Sequence, residues 1–314
     1  SLDGEEHLRQ RRPFDAPFRK TAVHNRFRQS VAQHIAQLLT ELAPKGKAEL
    51  RREFAGPVAV KTMMTALGLA GVAETAVLGW YDTIVQAVTQ VTAGEPVSAE
   101  GRAAFAALRE TLLPSLRREP EANLLAAASG AAQGLSDEAI VSNAAVLLFG
   151  GIETTEGMIA NALYFLLTNR EWLKPVREDN SLLPAVIEET LRLEPAAGVV
   201  DRYATQDARL GEANIAAGDL VRVSLSGANR DAAVFSDPDQ FDPLRPNLRE
   251  HVAFAQGPHV CLGLHLARLE AQLAVEQILV RLPKIKLQET EAAARAAKPQ
   301  GLVFRKPEAV WVSW

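Results

Sequence analysis

The chain has 314 residues, 47% of them hydrophobic and 23% charged, with a formal net charge of -4. That is enough apolar material for a large core and excludes a disordered chain, while the mild acidity (pI ≈ 5.9) argues against a nucleic-acid binder. Its single cysteine, Cys261, excludes an intrachain disulfide framework and a multi-cysteine zinc or iron–sulfur centre.

The chain opens Ser-Leu-Asp-Gly-Glu-Glu, without the basic-then-apolar order of a signal peptide, and no apolar run is long enough to span a bilayer. A soluble, cytoplasmic protein is expected. His7 and Arg11 stand four apart on one helix face, and Pro13 is expected to end or kink that helix. Helices are predicted over 31–42, 58–69, 75–91, 99–116 and 136–168, which are rich in Ala, Leu, Gln and Glu with apolar residues at steps of three and four. The small-residue stretch 126–134 reads as a loop. Strand signals come late: 219–225 alternates, and 301–304 with 309–312 reads as a hairpin around Lys306-Pro307. After Cys261, Leu266, Leu269, Leu273, Ile278 and Leu282 recur at helical spacing until Pro283. The expected fold class is mainly α with small β-sheets (α+β), in one domain spanning 1–314.

The helix over 136–168 would be about 50 Å long. Its middle reads Phe149-Gly150-Gly151-Ile152-Glu153-Thr154-Thr155, where each interior glycine costs roughly 1 kcal/mol relative to alanine. A helix weakened at its centre marks a site, or else close helix packing at the glycines. Glu189 and Arg192 are three apart, which alone reads as an exposed ion pair worth under about 1 kcal/mol.

Cys261 lies in Phe254-Ala-Gln-Gly257-Pro-His259-Val-Cys261-Leu-Gly263. Gly257 and Gly263 let the backbone pass close beneath a flat ligand, and the helix start that follows is expected to favour a thiolate over a thiol. One thiolate suffices to hold haem iron from one side; the alternative is a buried, inert cysteine.

This segment resembles the haem-binding signature of the cytochrome P450 monooxygenases, with Phe254, Gly257, His259, Cys261 and Gly263 in place. Ala255 stands where the family commonly has glycine, and a small residue is expected to pass. Gly150, Gly151, Glu153 and Thr154 resemble the family's oxygen-binding helix, which implies room for O2 beside the glycines, a water ordered by Thr154 and a proton relay through Glu153. Glu189 and Arg192 resemble its buried Glu-x-x-Arg lock, with Arg245 as third member. His7, Arg11, Arg202 and His259 resemble its propionate partners. The cofactor implied is haem b, iron protoporphyrin IX, with Cys261 as axial thiolate; Val146, Phe149, Ala197 and Val200 are implied as substrate-lining residues. The resemblance covers essentially all 314 residues and leaves the family's N-terminal part unmatched, which implies a shortened fold with a more open distal pocket.

The implied activity is a haem-thiolate monooxygenase that inserts one atom of O2 into an apolar small organic substrate. No glycine-rich nucleotide fingerprint follows a strand, so electrons are expected from a separate ferredoxin or similar protein, steered by Arg9, Arg12, Arg19 and Lys20. A peroxide-driven haem enzyme and a non-turnover haem sensor or carrier are the alternatives. The Glu153-Thr154 pair counts against both.

Overall fold

The computed structural model describes residues 2–92, 95–131 and 135–314. In chain order they form α1 (Gly4–Asp15), α2 (Lys20–Leu42), β1 (Lys47–Glu49), α3 (Gly56–Ala66), α4 (Glu74–Thr92), α5 (Ala99–Leu112), α6 (Leu124–Ala131), α7 (Asp137–Thr168), α8 (Arg170–Glu178) and α9 (Leu183–Leu193). There follow β2 (Val199–Tyr203), β3 (Ala208–Leu210), β4 (Ala213–Ile215), β5 (Leu220–Ser224), α10 (Leu225–Ala228), α11 (Leu264–Arg281), β6 (Lys286–Leu287), α12 (Glu291–Ala297) and β7 (Trp311–Ser313). The architecture is mainly helical with small antiparallel sheets: β1-β7-β6, the β2–β5 ribbon and the β3–β4 ribbon.

The centre of the molecule is α7. Ser136 caps it by accepting a hydrogen bond from the Ala139 amide at 3.2 Å, satisfying one of the orphan donors of its first turn. Its second half is buried almost all round, from Thr155 to Leu163, as expected of a helix enclosed by neighbours. Those neighbours include α3, α9 and α11. One hydrophobic cluster runs from Phe14 to Val312, so the helices share a single core. Among the described residues no helix is long and apolar enough to cross a membrane.

Several expectations need correction. Helix α2 begins at Lys20, eleven residues before the predicted start at 31, because Val23 and Phe27 extend the buried stripe of Val31, Ile35 and Leu38. Helix α1 runs through Pro13 to Asp15; so near the C-terminus the missing proline N–H forfeits one hydrogen bond and does not end the helix. Helix α5 stops at Leu112 and passes into a 3₁₀ turn containing Pro114, instead of reaching 116. The predicted loop over 126–134 is helical through Ala131, since Leu124, Leu125, Ala126 and Ala128 are buried; 132–134 lie outside the described residues.

The predicted hairpin of 301–304 with 309–312 does not form. Gly301 at φ 108° closes a tight turn that pairs Gln300 with Lys306, and Phe304 bridges to Ala197. Strand β7 pairs with β1 and β6, which buries Val312.

Candidate active site

Two segments far apart in sequence face each other across a cavity of about 360 Å³. One is the loop ahead of α11, which carries Cys261; the other is the middle of α7. The loop is built by backbone geometry. Gly257 sits at φ 74° and starts a short 3₁₀ turn, Gly257–His259, and the Cys261 amide donates to the Phe254 carbonyl at 2.9 Å. Ala255 adopts φ 56°, the left-handed conformation that costs a residue with a Cβ roughly 1–2 kcal/mol. The alanine is therefore accommodated, but under strain.

Cys261 is half-buried and unpaired, and its thiol borders the cavity. Burial pushes it up; the Gly263 amide, the charges of Arg11 and Arg268 and the Leu264 amide oppose this without overcoming it. The helix-start amides thus act in the expected direction, against a larger opposing effect of burial. A metal cation at the sulfur would further favour the thiolate.

Behind the loop, α9 and α11 hold it in place. Arg268 lies with its guanidinium carbon 4.6 Å from the Phe254 ring centroid and makes a bidentate pair with Glu188 at 2.6 and 2.7 Å. His251 reaches the same carboxylate at 2.9 Å. Burial alone would raise Glu188, but the hydrogen bonds from His251 and Arg268 win and hold it at about 2. Sequence reasoning missed this trio, because none of its members carries a spacing signal.

Next to it, Glu189 and Arg192 are both fully buried. Arg192 grips Glu189 through two bonds of 2.8 Å and donates to the carbonyls of Asn229, Pro238 and Gln240. Arg245 lies 3.5 Å from the same carboxylate and donates to the carbonyls of Ser236, Asp237 and Gln240. The pair is thus no surface salt bridge. It fastens α9 to residues 229–245 with every charge hydrogen-bonded.

Of the four residues carried over for propionates, Arg202 and His259 border the cavity and His7 packs on His259. His7 and His259 stack with ring centroids 4.0 Å apart, and His259 Nε2 is 3.1 Å from the Asp3 carboxylate. His7 Nδ1 is buried without a partner, and burial, then His259 and Arg11, push its pKa down. Arg11 pairs with Asp15 at 3.2 Å. Arg202 borders the cavity from β2 and donates to the Asp201 carbonyl.

On α7 the two glycines part company. A Cβ at Gly150 would meet nothing within 4 Å, so that position opens on the cavity, whereas one at Gly151 would lie 2.3 Å from Met63 Sδ on α3. Gly151 serves close helix packing, the alternative raised from the sequence. Thr154 borders the cavity and donates its hydroxyl to the Gly150 carbonyl at 2.5 Å. Glu153 does not border it: its carboxylate pairs with Lys306 at 2.7 Å, and Lys306 also binds Glu156 at 2.6 Å. Nearby, burial and then the Glu153 charge push the Tyr81 phenol up.

The remaining wall is mostly apolar. Val146, which is 68% exposed, Ala197 and Val200 border the cavity. Phe149 does not; its ring stacks on Tyr81 and meets Phe304 edge-on. Met63, Met158, Leu191 and the buried Glu270 also border the cavity, and none of these was read from the sequence.

This arrangement fits a haem. The cysteine stands at one side of an apolar cavity, glycine positions at Gly150, Gly257 and Gly263 leave space where a Cβ would meet nothing within 4 Å, and His259, stacked on His7, already holds the Asp3 carboxylate at 3.1 Å.

Comparison with known proteins places these features. The family model for Cytochrome P450 matches residues 108–312. Cytochrome P450 107B1 of Saccharopolyspora erythraea is 34% identical over 97% of this chain and 73% of its own length. Nocardicin C N-oxygenase of Nocardia uniformis subsp. tsuyamanensis is 33% identical over the whole of this chain and 78% of its own length. The structure of the LnmA cytochrome P450 hydroxylase of Streptomyces atroolivaceus superposes with a TM-score of 0.85 at 30% identity, covering 100% of this chain and 81% of that one. With a lone cysteine loop facing a glycine-opened helix across one cavity, and with such relatives along nearly its full length, this chain belongs to the cytochrome P450 family of haem-thiolate monooxygenases.

Proposed function

We propose that oxygen insertion in this chain takes place between Cys261 and the Thr154 turn of α7, on an apolar organic molecule held in the cavity they share, with residues 1–314 acting as one domain. The supporting observation is that both residues border the same 360 Å³ cavity, with apolar side chains between them. Haem b is the cofactor, and the Cys261 thiolate would hold its iron. When bound, it activates O2 with electrons from a partner protein, so that one oxygen atom enters the substrate and the other leaves as water.

The chain's own residues divide the remaining work. His7, Arg11, Arg202 and His259 bind the propionates by charge-assisted hydrogen bonds. The Phe254–Arg268–Glu188 stack and the Glu189–Arg192–Arg245 lock keep the ligand loop in register. Gly150 would leave room for O2 on the α7 side of the cavity. The Thr154 hydroxyl, now donating to Gly150, orders a water in the cavity by turning toward it. Glu153 faces outward on Lys306, so its relay requires exchanging that lysine for the cavity water. Val146, Ala197, Val200, Met63, Met158 and Leu191 select for apolar substrate surface.

Electrons come from a separate protein, an acidic one of the ferredoxin kind. Arg12, Arg19 and Lys20 supply the positive field near α1 and the start of α2, while Arg9 is already paired with Glu6 at 2.7 Å. A cytoplasmic setting goes with such a partner.

Thr154→Ala tests the proton reading. The variant should keep haem and substrate binding while reductant consumption rises relative to product and peroxide is released. An unchanged ratio of product to reductant would remove Thr154 from this role.

A further inference from the structure

Beside the Thr154 turn, α7 carries a charge network that joins three parts of the chain. Lys306, in the turn that follows Gly301, places its ammonium between two carboxylates of α7, 2.7 Å from Glu153 and 2.6 Å from Glu156. Glu156 holds a second cation, Arg51, at 2.8 Å, and Arg51 also donates to the Glu308 carbonyl at 2.7 Å. Glu153 and Glu156 stand three apart on one helix face, which lets a single ammonium reach both. The charges therefore alternate from Glu153 through Lys306 and Glu156 to Arg51, and their sum is neutral.

The two acids are held differently. Glu156 is 8% exposed and is gripped on both oxygens, by Arg51 on one and by Lys306 on the other. Glu153 meets Lys306 through one oxygen, and no other cation pairs with it among the described residues. Lys306 in turn is held by its backbone. It pairs with Gln300, the preceding Arg305 amide donates to the Ala196 carbonyl at 2.9 Å, and the Arg305 guanidinium binds Glu194 at 2.6 Å. A Cβ on Gly301 would lie 2.1 Å from the Phe304 carbonyl oxygen, so this turn is closed tightly. Lys306 is thus anchored from behind and from Glu156, and Glu153 is the member of the network that can leave.

What Lys306 keeps when Glu153 turns away decides whether the turn is possible. Its side chain is 14% exposed, and a mostly buried ammonium with no carboxylate beside it is strongly disfavoured. We propose that Glu156 is a positioning residue for oxygen insertion: it is the standing counter-ion of Lys306, and by keeping that lysine paired it frees Glu153 to exchange the lysine for the cavity. Arg51 completes the arrangement, because it offsets the second negative charge whenever both carboxylates share Lys306. Glu156 does not border the cavity. It acts through Lys306.

The proposal rests on the relay reading of Glu153, and the test separates the two. The first arm needs no turnover: in a crystal structure of the Glu153→Gln holoprotein, Lys306 Nζ should remain on Glu156. The second arm follows oxidation of ethoxycoumarin, an apolar fluorogenic probe, with a ferredoxin, its reductase and NADPH. Glu156→Gln leaves Glu153 as the sole carboxylate on Lys306 and should lower kcat about tenfold while KM for the probe is unchanged. Glu156→Asp, which keeps the charge, should recover most of that loss. Added to Glu153→Gln or to Lys306→Met, Glu156→Gln should change kcat no further, because the ion pair it tightens is already gone. Glu156→Gln with Arg51→Met stands in if Glu156→Gln does not fold, since the pair of substitutions leaves no unpaired arginine. A Lys306 turned away from Glu156 in the crystal, Glu156→Gln at wild-type kcat, or the same loss in every background would overturn the proposal and leave the relay standing. A Glu153→Gln variant that forms product as efficiently as the wild type would instead remove the relay, and the proposal with it.

Discussion

Around α9 and the Cys261 loop, Glu188 and Glu189 are each gripped by two basic side chains, whereas on α7 Glu153 pairs with Lys306 alone among the described residues and shares it with Glu156. The contrast follows from what each side must do. A ligand loop needs one geometry, and buried ion pairs with every donor satisfied hold one geometry at the expense of desolvation. The proposed proton relay needs a group that can change partner, and Glu153, whose lysine is shared, meets that need. The same residue type is thus held by its own cations beside the ligand loop and by a shared one on α7.

The sharpest way to break this contrast is to remove a charge from the fixed side. Glu189→Ala leaves Arg192 buried with its best partner gone and should cost about 3–5 kcal/mol in urea unfolding of the holoprotein. A loss below about 1 kcal/mol would mean that the pair behaves like an exposed one.

Acid should expose the second gripped glutamate. Glu188 is held at about 2 against an ordinary 4.5, so its folded pKa is the depressed one. Its contribution is complete above pH 4.5 and is lost as the pH falls toward 2, up to about 3 kcal/mol in all. Unfolding free energies measured across that window should fall less steeply in Glu188→Gln than in the wild type. Parallel slopes would show that Arg268 and His251 do not hold the carboxylate.

The smallest effect sharpens the picture of the loop itself. Ala255→Gly relieves a left-handed alanine at φ 56°, and part of that gain is returned through glycine's freedom in the unfolded chain, so about 1 kcal/mol or less of added stability is expected. A destabilised variant would mean that the Ala255 methyl packs favourably enough to offset its backbone.

Much of this was legible in the sequence, for reasons that vary by residue. Cys261, Gly257 and Gly263 could be read because their spacing is local and the backbone demand is specific. The glycines of α7 were legible as a weak point but not in their division of labour, since whether Gly151 touches Met63 depends on where α3 packs. Phe149 was misplaced for the same reason: helical spacing gives a face, while Tyr81 and Phe304 decide what that face meets. Lys306 and Arg268 were missed because an ion pair across about 80 to 150 residues leaves no local trace. Glu270 did leave one. It falls on the apolar stripe of α11 with Leu266, Leu269 and Leu273, and a lone carboxylate on a buried stripe is a signal worth reading.

The central claim, that the single sulfur of Cys261 carries iron opposite Thr154, is tested most directly by the absorption spectrum of the reduced, CO-bound holoprotein. The account predicts the long-wavelength Soret band of thiolate ligation and its loss in Cys261→His, where imidazole would take the axial place. A histidine-like band in the wild-type protein, or the same band with and without the cysteine, would contradict it.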